Sequence, residues 1–212
     1  MSDTKPAWHP EVLPEGWARA ADELADRSVL GGFHLSGGTG LALHIGHRRS
    51  VDLDLFSSED FDSSALRDKL RGLPDLRVLQ IAPGTLHLEA YSILVSFLHY
   101  PYPLLFPLAQ FETLAVADPR DIGCTKVLTI ASRGSRRDFV DLYVAARRYG
   151  LGQLLAWFEA KFSGVHHNRI HLLKALTYFV DAEAQPMPDM LVPIDWQEVT
   201  DFFRTEAPRL LR

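Results

Sequence analysis

Apolar and polar positions follow two different periods along this chain, and the change of period divides it in two. In the first half, short runs alternate with a period near two or form brief apolar stretches bounded by Gly, Pro and Asp, the signature of strands. Phe33–Leu35, Val51–Phe56, Leu76–Ile81, Thr85–Glu89 and Ile93–Tyr100 read in this way. Helices are predicted among them. Gly16–Ser28 sets Trp17, Ala20, Ala21 and Leu24 against Arg19, Asp22, Glu23 and Asp26, and a second helix starts at Asp62, Ser63 or Ser64 and closes by Gly72 and Pro74. Residues 1–14 hold Pro6, Pro10 and Pro14 and are expected to form a loose lead-in. Pro101, Pro103 and Pro107 end the strand-rich half.

From Asp118 the pattern turns helical. Asp118 is placed to cap, Pro119 to take the first helical position and Asp121 to lie in the first turn of a helix running to Ser132, where Gly134 breaks it. Further helical patterns cover Arg137–Tyr149, Leu151–Phe162, Asn168–Asp181 and Asp195–Arg204. The expected fold class is α+β: a mixed sheet flanked by helices over residues 1–106, followed by a helical bundle over residues 107–212. There is no internal repeat.

One strand carries chemistry. In Val51-Asp52-Leu53-Asp54-Leu55-Phe56 the alternation of side chains sends Asp52 and Asp54 to one face and the apolar residues to the other. Two carboxylates that close raise one another's pKa unless a cation neutralises them, and a hard divalent ion such as Mg²⁺ suits oxygen ligands. Gly37-Gly38-Thr39 lies upstream, read as a turn at Gly37 and Gly38 followed by a helix from Thr39 to Gly46. Glycines let backbone N–H groups approach an anion, and the helix start adds its positive dipole end. The combination predicts a phosphate tail held by the glycine turn and a metal held by the aspartates.

Bulk properties narrow the options. The chain has 212 residues, 47% of them hydrophobic, enough to bury a substantial core. A net charge of -5 gives no overall attraction to nucleic acid, so any RNA contact would depend on a local basic patch. Cys124 is the single cysteine, which excludes an intramolecular disulfide and a cysteine-built zinc site. No apolar run reaches the length of a membrane span, and the expected location is the cytoplasm.

The pattern Gly-Gly-Thr, Ala-Leu, Gly-His-Arg-x-Ser, Asp-Leu-Asp-Leu-Phe resembles that of the AbiEii/AbiGii toxin-type nucleotidyltransferases, a branch of the DNA polymerase β-like superfamily. A second block is similar too: Lys126, Arg133-Gly134, Arg137-Asp138 and Asp141-Leu142. The resemblance spans about Pro14 to Phe203. It implies a nucleotidyltransferase-type fold, NTP as substrate, Mg²⁺, a functional lysine at Lys126, a type IV toxin–antitoxin or abortive-infection role with a cognate antitoxin, and an RNA or tRNA acceptor.

Beyond that resemblance the residues leave some roles open. Lys126 and Arg133 share a helix face and either hold a triphosphate or extend to solvent. Asp138 and Asp141, three apart, either pair with those cations or serve nucleotide or metal. His47, Arg48 and Arg49 are expected at the mouth of the site, with Arg48 or Arg49 on phosphate; His44 and His47 lack a third soft ligand. Trp17, Trp157 and Trp196 are read as packing anchors, and His166, His167 and His171 as a solvated helix start. Related enzymes usually bring a third carboxylate from a later strand. Here that strand reads Ile93-Leu94-Val95-Ser96-Phe97-Leu98-His99, with Ser96 at the expected slot and Glu89 as the acid on the preceding strand. The leading expectation is NMP transfer from an NTP to an acceptor hydroxyl; the alternatives are a nucleotide-binding module weakened in catalysis and a metal-dependent phosphohydrolase.

Overall fold

The computed structural model describes residues 6–211. Its frame is a seven-stranded mixed sheet of order β3-β4-β5-β2-β1-β7-β6. The strands are β1 (His34–Leu35), β2 (Asp52–Ser57), β3 (Arg77–Ala82), β4 (Thr85–Ala90), β5 (Ile93–His99), β6 (Ala109–Phe111) and β7 (Leu114–Val116). β2 runs parallel to β5 and antiparallel to β1, while β3, β4 and β5 form an antiparallel meander. The helices of this half are α1 (Trp17–Asp26), α2 (Gly37–Ile45) and α3 (Ser63–Lys69).

One face of the sheet is apolar. Leu53, Leu55, Leu86, Leu88, Val95 and Phe97 are almost fully buried and pack with Ala20, Ala21 and Leu24 of α1 and Leu66 of α3. Each such side chain contributes roughly 1.5–3 kcal/mol of transfer free energy. Because successive side chains alternate, the same burial that sinks Leu53 and Leu55 turns Asp52 and Asp54 toward the opposite face.

The helical half comprises α4 (Pro119–Ser132), α5 (Arg136–Tyr149), α6 (Leu151–Lys161), α7 (Arg169–Ala175), α8 (Val180–Glu183) and α9 (Trp196–Arg209). These enclose a second core around Phe139, Phe158, Phe162 and Phe203. Asp118 caps α4 by accepting from Arg120 N at 2.9 Å, with Pro119 opening the helix. Trp17 packs on the first core, and Trp157 and Trp196 on the second. Leu41, Ala117 and Ile122 form a small cluster that joins α2 to α4. Buried Lys161 meets Asp121 Oδ1 at 2.8 Å, and the Asp121 carboxylate also accepts from Leu105 and Phe106 N–H, tying the proline-rich crossing to the bundle.

Several expectations need correcting. β6 and β7 fall after residue 106 yet belong to the sheet, so the sheet half extends to Val116. The helix predicted over Asn168–Asp181 is broken between Ala175 and Val180 and forms α7 and α8. Within the lead-in, Pro10–Val12 makes a 3₁₀ turn whose Val12 is fully buried and accepts from Ser50 N; residues 1–5 of that segment lie outside the described residues. No helix of the described residues is long and apolar enough to cross a membrane.

Candidate active site

The site forms where α2, β2, α4 and α5 meet. Gly37 and Gly38 are the first turn of α2 rather than a turn preceding it, with Ser36 as the capping residue. Ser36 offers no side-chain cap, so the leading N–H groups of α2 remain available to an anion. Ser36 N–H itself donates to the Asp54 carbonyl at 2.9 Å, which fixes the helix start against β2. Gly37 has φ of +62°, and a Cβ there would lie 2.5 Å from Asp54 Oδ2. A Cβ on Gly38 would lie 2.1 Å from Arg48 Nη2. Both positions therefore require glycine.

Asp52 and Asp54 sit half-buried on the polar face of β2 and line a cleft of about 360 Å³ with Gly38, Arg48, Lys126 and Arg133. Thr39, fully buried, donates its hydroxyl to the Asp52 carbonyl oxygen at 2.5 Å and lies 2.6 Å from the Ser50 hydroxyl. Ser50 in turn donates to Asp52 Oδ1 at 3.1 Å. Burial, with the neighbouring Asp52 charge adding to it, raises the pKa of Asp54. That is the electrostatic state a cation relieves.

Behind the cleft lies a buried ionic network. Arg48 grips Asp141 through two parallel bonds, Nε to Oδ1 at 2.7 Å and Nη2 to Oδ2 at 2.9 Å. His47 Nε2 reaches the same carboxylate at 2.8 Å, and Lys126 Nζ lies 2.7 Å from Asp141 and 2.8 Å from Asp138. Burial alone would push Lys126 down, but Asp141 and Asp138 hold it above the usual lysine range. Burial likewise opposes ionisation of Asp141, yet Arg48 and Lys126 hold it well below the usual carboxylate range. Two of the three Lys126 N–H groups are engaged in this way, leaving one for the cleft it lines.

Lys126 and Arg133 do not behave alike. Lys126 is almost fully buried, whereas the Arg133 side chain is 74% exposed at the cleft rim, 3.7 Å from Asp138. Asp141 is fully buried, does not line the cleft and is paired with Arg48 and Lys126. His47 was expected at the mouth and is instead buried against Asp141. Arg49 is exposed and pairs with Asp189 at 3.1 Å. His44 lies under Trp8 with Nε2 3.0 Å from the Ala117 carbonyl. Glu89 projects on the Asp52 face, but one strand beyond β5, where Arg77 engages it at 3.3 Å. It does not reach the aspartates. Ser96 stands directly opposite Asp54 on the neighbouring strand.

Arg137, from the second sequence block, also lines the cleft, as do Ser135 and Gln185, which were not anticipated. Ser135 caps α5 by accepting from Asp138 N–H, and an Arg-Gly-Ser-x-x-Asp string is a readable capping signal. Gln185 carries no local signal at all. It arrives on the segment after α8, where its Oε1 accepts from Arg136 N at 3.1 Å. Among the described residues no group of three or more His, Cys, Asp or Glu is placed to hold a metal. Two carboxylates do fit Mg²⁺, which completes its shell with water and substrate phosphate oxygens.

A helix opened by two glycines, delivering its amides to a strand with paired carboxylates, defines a nucleotidyltransferase-type site. The model of the family "Nucleotidyl transferase AbiEii toxin, Type IV TA system" matches residues 21–210, and the chain belongs to this family. It is 32% identical over 198 residues to an uncharacterized protein of Aquifex aeolicus, covering 91% of this chain and 94% of that one. Its fold is similar to that of MenT4, a nucleotidyltransferase toxin of Mycobacterium tuberculosis, with a TM-score of 0.54 at 16% identity over 93% of this chain and 85% of that one. A candidate nucleotidyltransferase of Helicobacter pylori gives a TM-score of 0.50 at 16% identity, over 93% and 98% of the two chains.

Proposed function

We propose that this chain is a Mg²⁺-dependent nucleotidyltransferase that moves a nucleoside monophosphate from an NTP to an acceptor hydroxyl and releases pyrophosphate. The observation that carries the proposal is the facing of Asp52 and Asp54 on β2 with the opening turn of α2, across one cleft that Lys126 also lines. Asp52 and Asp54 would hold the metal, which would polarise the α-phosphate and offset its charge. The N–H groups at Gly37, Gly38 and Thr39 receive the β- and γ-phosphates. Lys126, held ready by Asp138 and Asp141, and Arg133 at the rim neutralise charge on the departing pyrophosphate. Arg48 borders the same space with its guanidinium locked by Asp141. Membership of a toxin family supports a cognate antitoxin as partner; the acceptor in this proposal is RNA, including tRNA.

One observation favours a second reading. The slot beside Asp54 that usually brings a third carboxylate holds Ser96, as a nucleotide-binding module that has lost transfer would. Incubation with each α-labelled NTP and total cellular RNA separates the two. Transfer predicts label in polymer, together with pyrophosphate, and its loss in Asp54→Asn. Binding of Mg²⁺·NTP by calorimetry with no labelled polymer and no pyrophosphate would support the module. Nucleoside monophosphate released without labelled polymer would indicate hydrolysis.

A further inference from the structure

The residues that line the cleft are charged, polar or glycine. Such walls suit phosphate, metal and ribose. They offer no flat apolar surface to the face of a nucleobase, which nucleotide sites supply with apolar and aromatic side chains. A second pocket, of about 330 Å³, shares Arg133 with the cleft. It lies between the end of α4 and one face of α7, and its walls include Ile130, Ala131, Ala175 and Tyr178.

Tyr178 owes its place to the break between α7 and α8. Leu172, Leu173, Leu176 and Phe179 turn into the second core, and Tyr178 is left 57% exposed at the pocket wall. An aromatic face left in water there is available to stack. The pocket's polar groups are available as well: among the described residues the side chains of His171, Lys174 and Asp181 make no hydrogen bond or ion pair. Another groove opens from the cleft at Arg48 and Arg137, but it has no aromatic wall. Most of its polar side chains are already engaged, Arg48 by Asp141, Arg49 by Asp189 and Ser50 by Asp52.

We propose that the pocket beside Arg133 seats the nucleobase of the NTP, stacked on Tyr178. The inference rests on the reading of the cleft as the triphosphate seat. A nucleotide with its base here and its phosphates in the cleft curls around Arg133, so one guanidinium meets both. The occupant is a base rather than a stretch of acceptor backbone. Asp181 repels a phosphate but accepts from the ring N–H or amino group of a base, while Lys174 and His171 donate to its carbonyl oxygens and ring nitrogens. Stacking on an aromatic ring tolerates every base, so the pocket adds affinity for nucleotides as a class. The hydrogen-bonding groups then grade the bases.

The test is calorimetric titration of Mg²⁺·ATP, GTP, CTP and UTP, and of Mg²⁺·tripolyphosphate, into wild type, Tyr178→Ala, Tyr178→Phe and Ala175→Leu, each checked for folding by circular dichroism. Wild type should bind at least one NTP more tightly than tripolyphosphate. Tyr178→Ala should weaken binding of that NTP by about 5- to 150-fold, the worth of one base stacked on an aromatic ring, and leave tripolyphosphate unchanged. Tyr178→Phe keeps the ring and should keep the affinity. Ala175→Leu narrows the pocket and should reproduce the selective loss; if Tyr178→Ala does not fold, it decides in its place. Unchanged NTP affinity in Tyr178→Ala, or tripolyphosphate lost in equal measure, would overturn the proposal, and so would a wild type that binds NTP no tighter than tripolyphosphate. Intact NTP affinity with a defect confined to the RNA concentration needed for labelling would also overturn it, by giving the pocket to the acceptor. Wild type that binds neither ligand would remove the triphosphate seat itself, and the base pocket with it.

Discussion

Arg48 and Asp141 lie 93 positions apart in sequence and meet as a planar, two-bond ion pair, 2.7 and 2.9 Å long, with both side chains almost wholly out of water. Arg48 comes from the loop before β2 and Asp141 from α5, so this pair joins the carboxylate strand to the helical half. His47 and Lys126 complete the surroundings of the same carboxylate.

Removing one partner of such a network strands the others. Asp141→Asn should destabilise the fold by about 3–5 kcal/mol, because Arg48 and Lys126 stay charged and buried without their shared counter-ion. Urea titration followed by circular dichroism measures the loss. The depressed pKa of Asp141 fixes the sign of the pH effect. Its contribution is complete above the unfolded carboxylate value of about 3.9 and is eroded as pH falls below it toward the folded value. Stability of Asp141→Asn should therefore fall less steeply than wild type over that acid range; parallel curves would contradict the assignment.

Asp54 has the opposite sign. Its folded pKa is raised, so the folded state holds the proton more tightly, and stability declines as pH rises through the window between the unfolded and the folded value. At neutral pH Asp54→Asn removes a charge the fold disfavours. The variant should melt no lower than wild type while losing NTP turnover, and thermal melts run beside the labelling assay test both halves.

Gly37 and Gly38 separate strain from chemistry. Gly38→Ala sets a methyl group against an Arg48 that cannot retreat without leaving Asp141, and should cost about 1–3 kcal/mol. Gly37→Ala adds a left-handed backbone strain and displaces the Asp54 carboxylate. Calorimetry with Mg²⁺·NTP should find binding weakened in both variants, and wild-type affinity in either would argue against a phosphate seat at the start of α2.

His34 and His44 make a separate acid-range prediction. Burial pushes each pKa down to about 4, and the charge of Lys161 pushes His34 in the same direction. The unfolded chain takes up protons near 6.5 while the folded one resists until about 4, so stability is lost as pH falls between those values, on the order of 3 kcal/mol per residue. His34→Gln and His44→Gln should each flatten the melting temperature between those pH values; equal slopes in wild type and variants would count against buried neutral imidazoles.

How much of this was legible in the sequence depended on distance along the chain. Asp52 and Asp54 announce themselves because two-residue alternation is local, and Asp118-Pro119 marks its helix by capping chemistry alone. The break between α7 and α8 was hidden, since Leu172, Leu173, Leu176 and Phe179 keep an apolar rhythm while all four point into the second core. The three-residue strands β6 and β7 were too short for any period to show. Burial of His47 and the arrival of Gln185 at the cleft depend on tertiary contacts that no local window contains.

Arg48 also bridges to Met190, and Arg49 to Asp189, so the segment leading into α9 returns to the loop that precedes β2. During synthesis the first quarter of the polypeptide leaves the ribosome long before the segment that closes over it. Contacts of such separation form late, because chain-closure entropy is lost before they give anything back. A partly made chain thus carries the aspartates before Gln185, which lines their cleft from that later segment, has emerged.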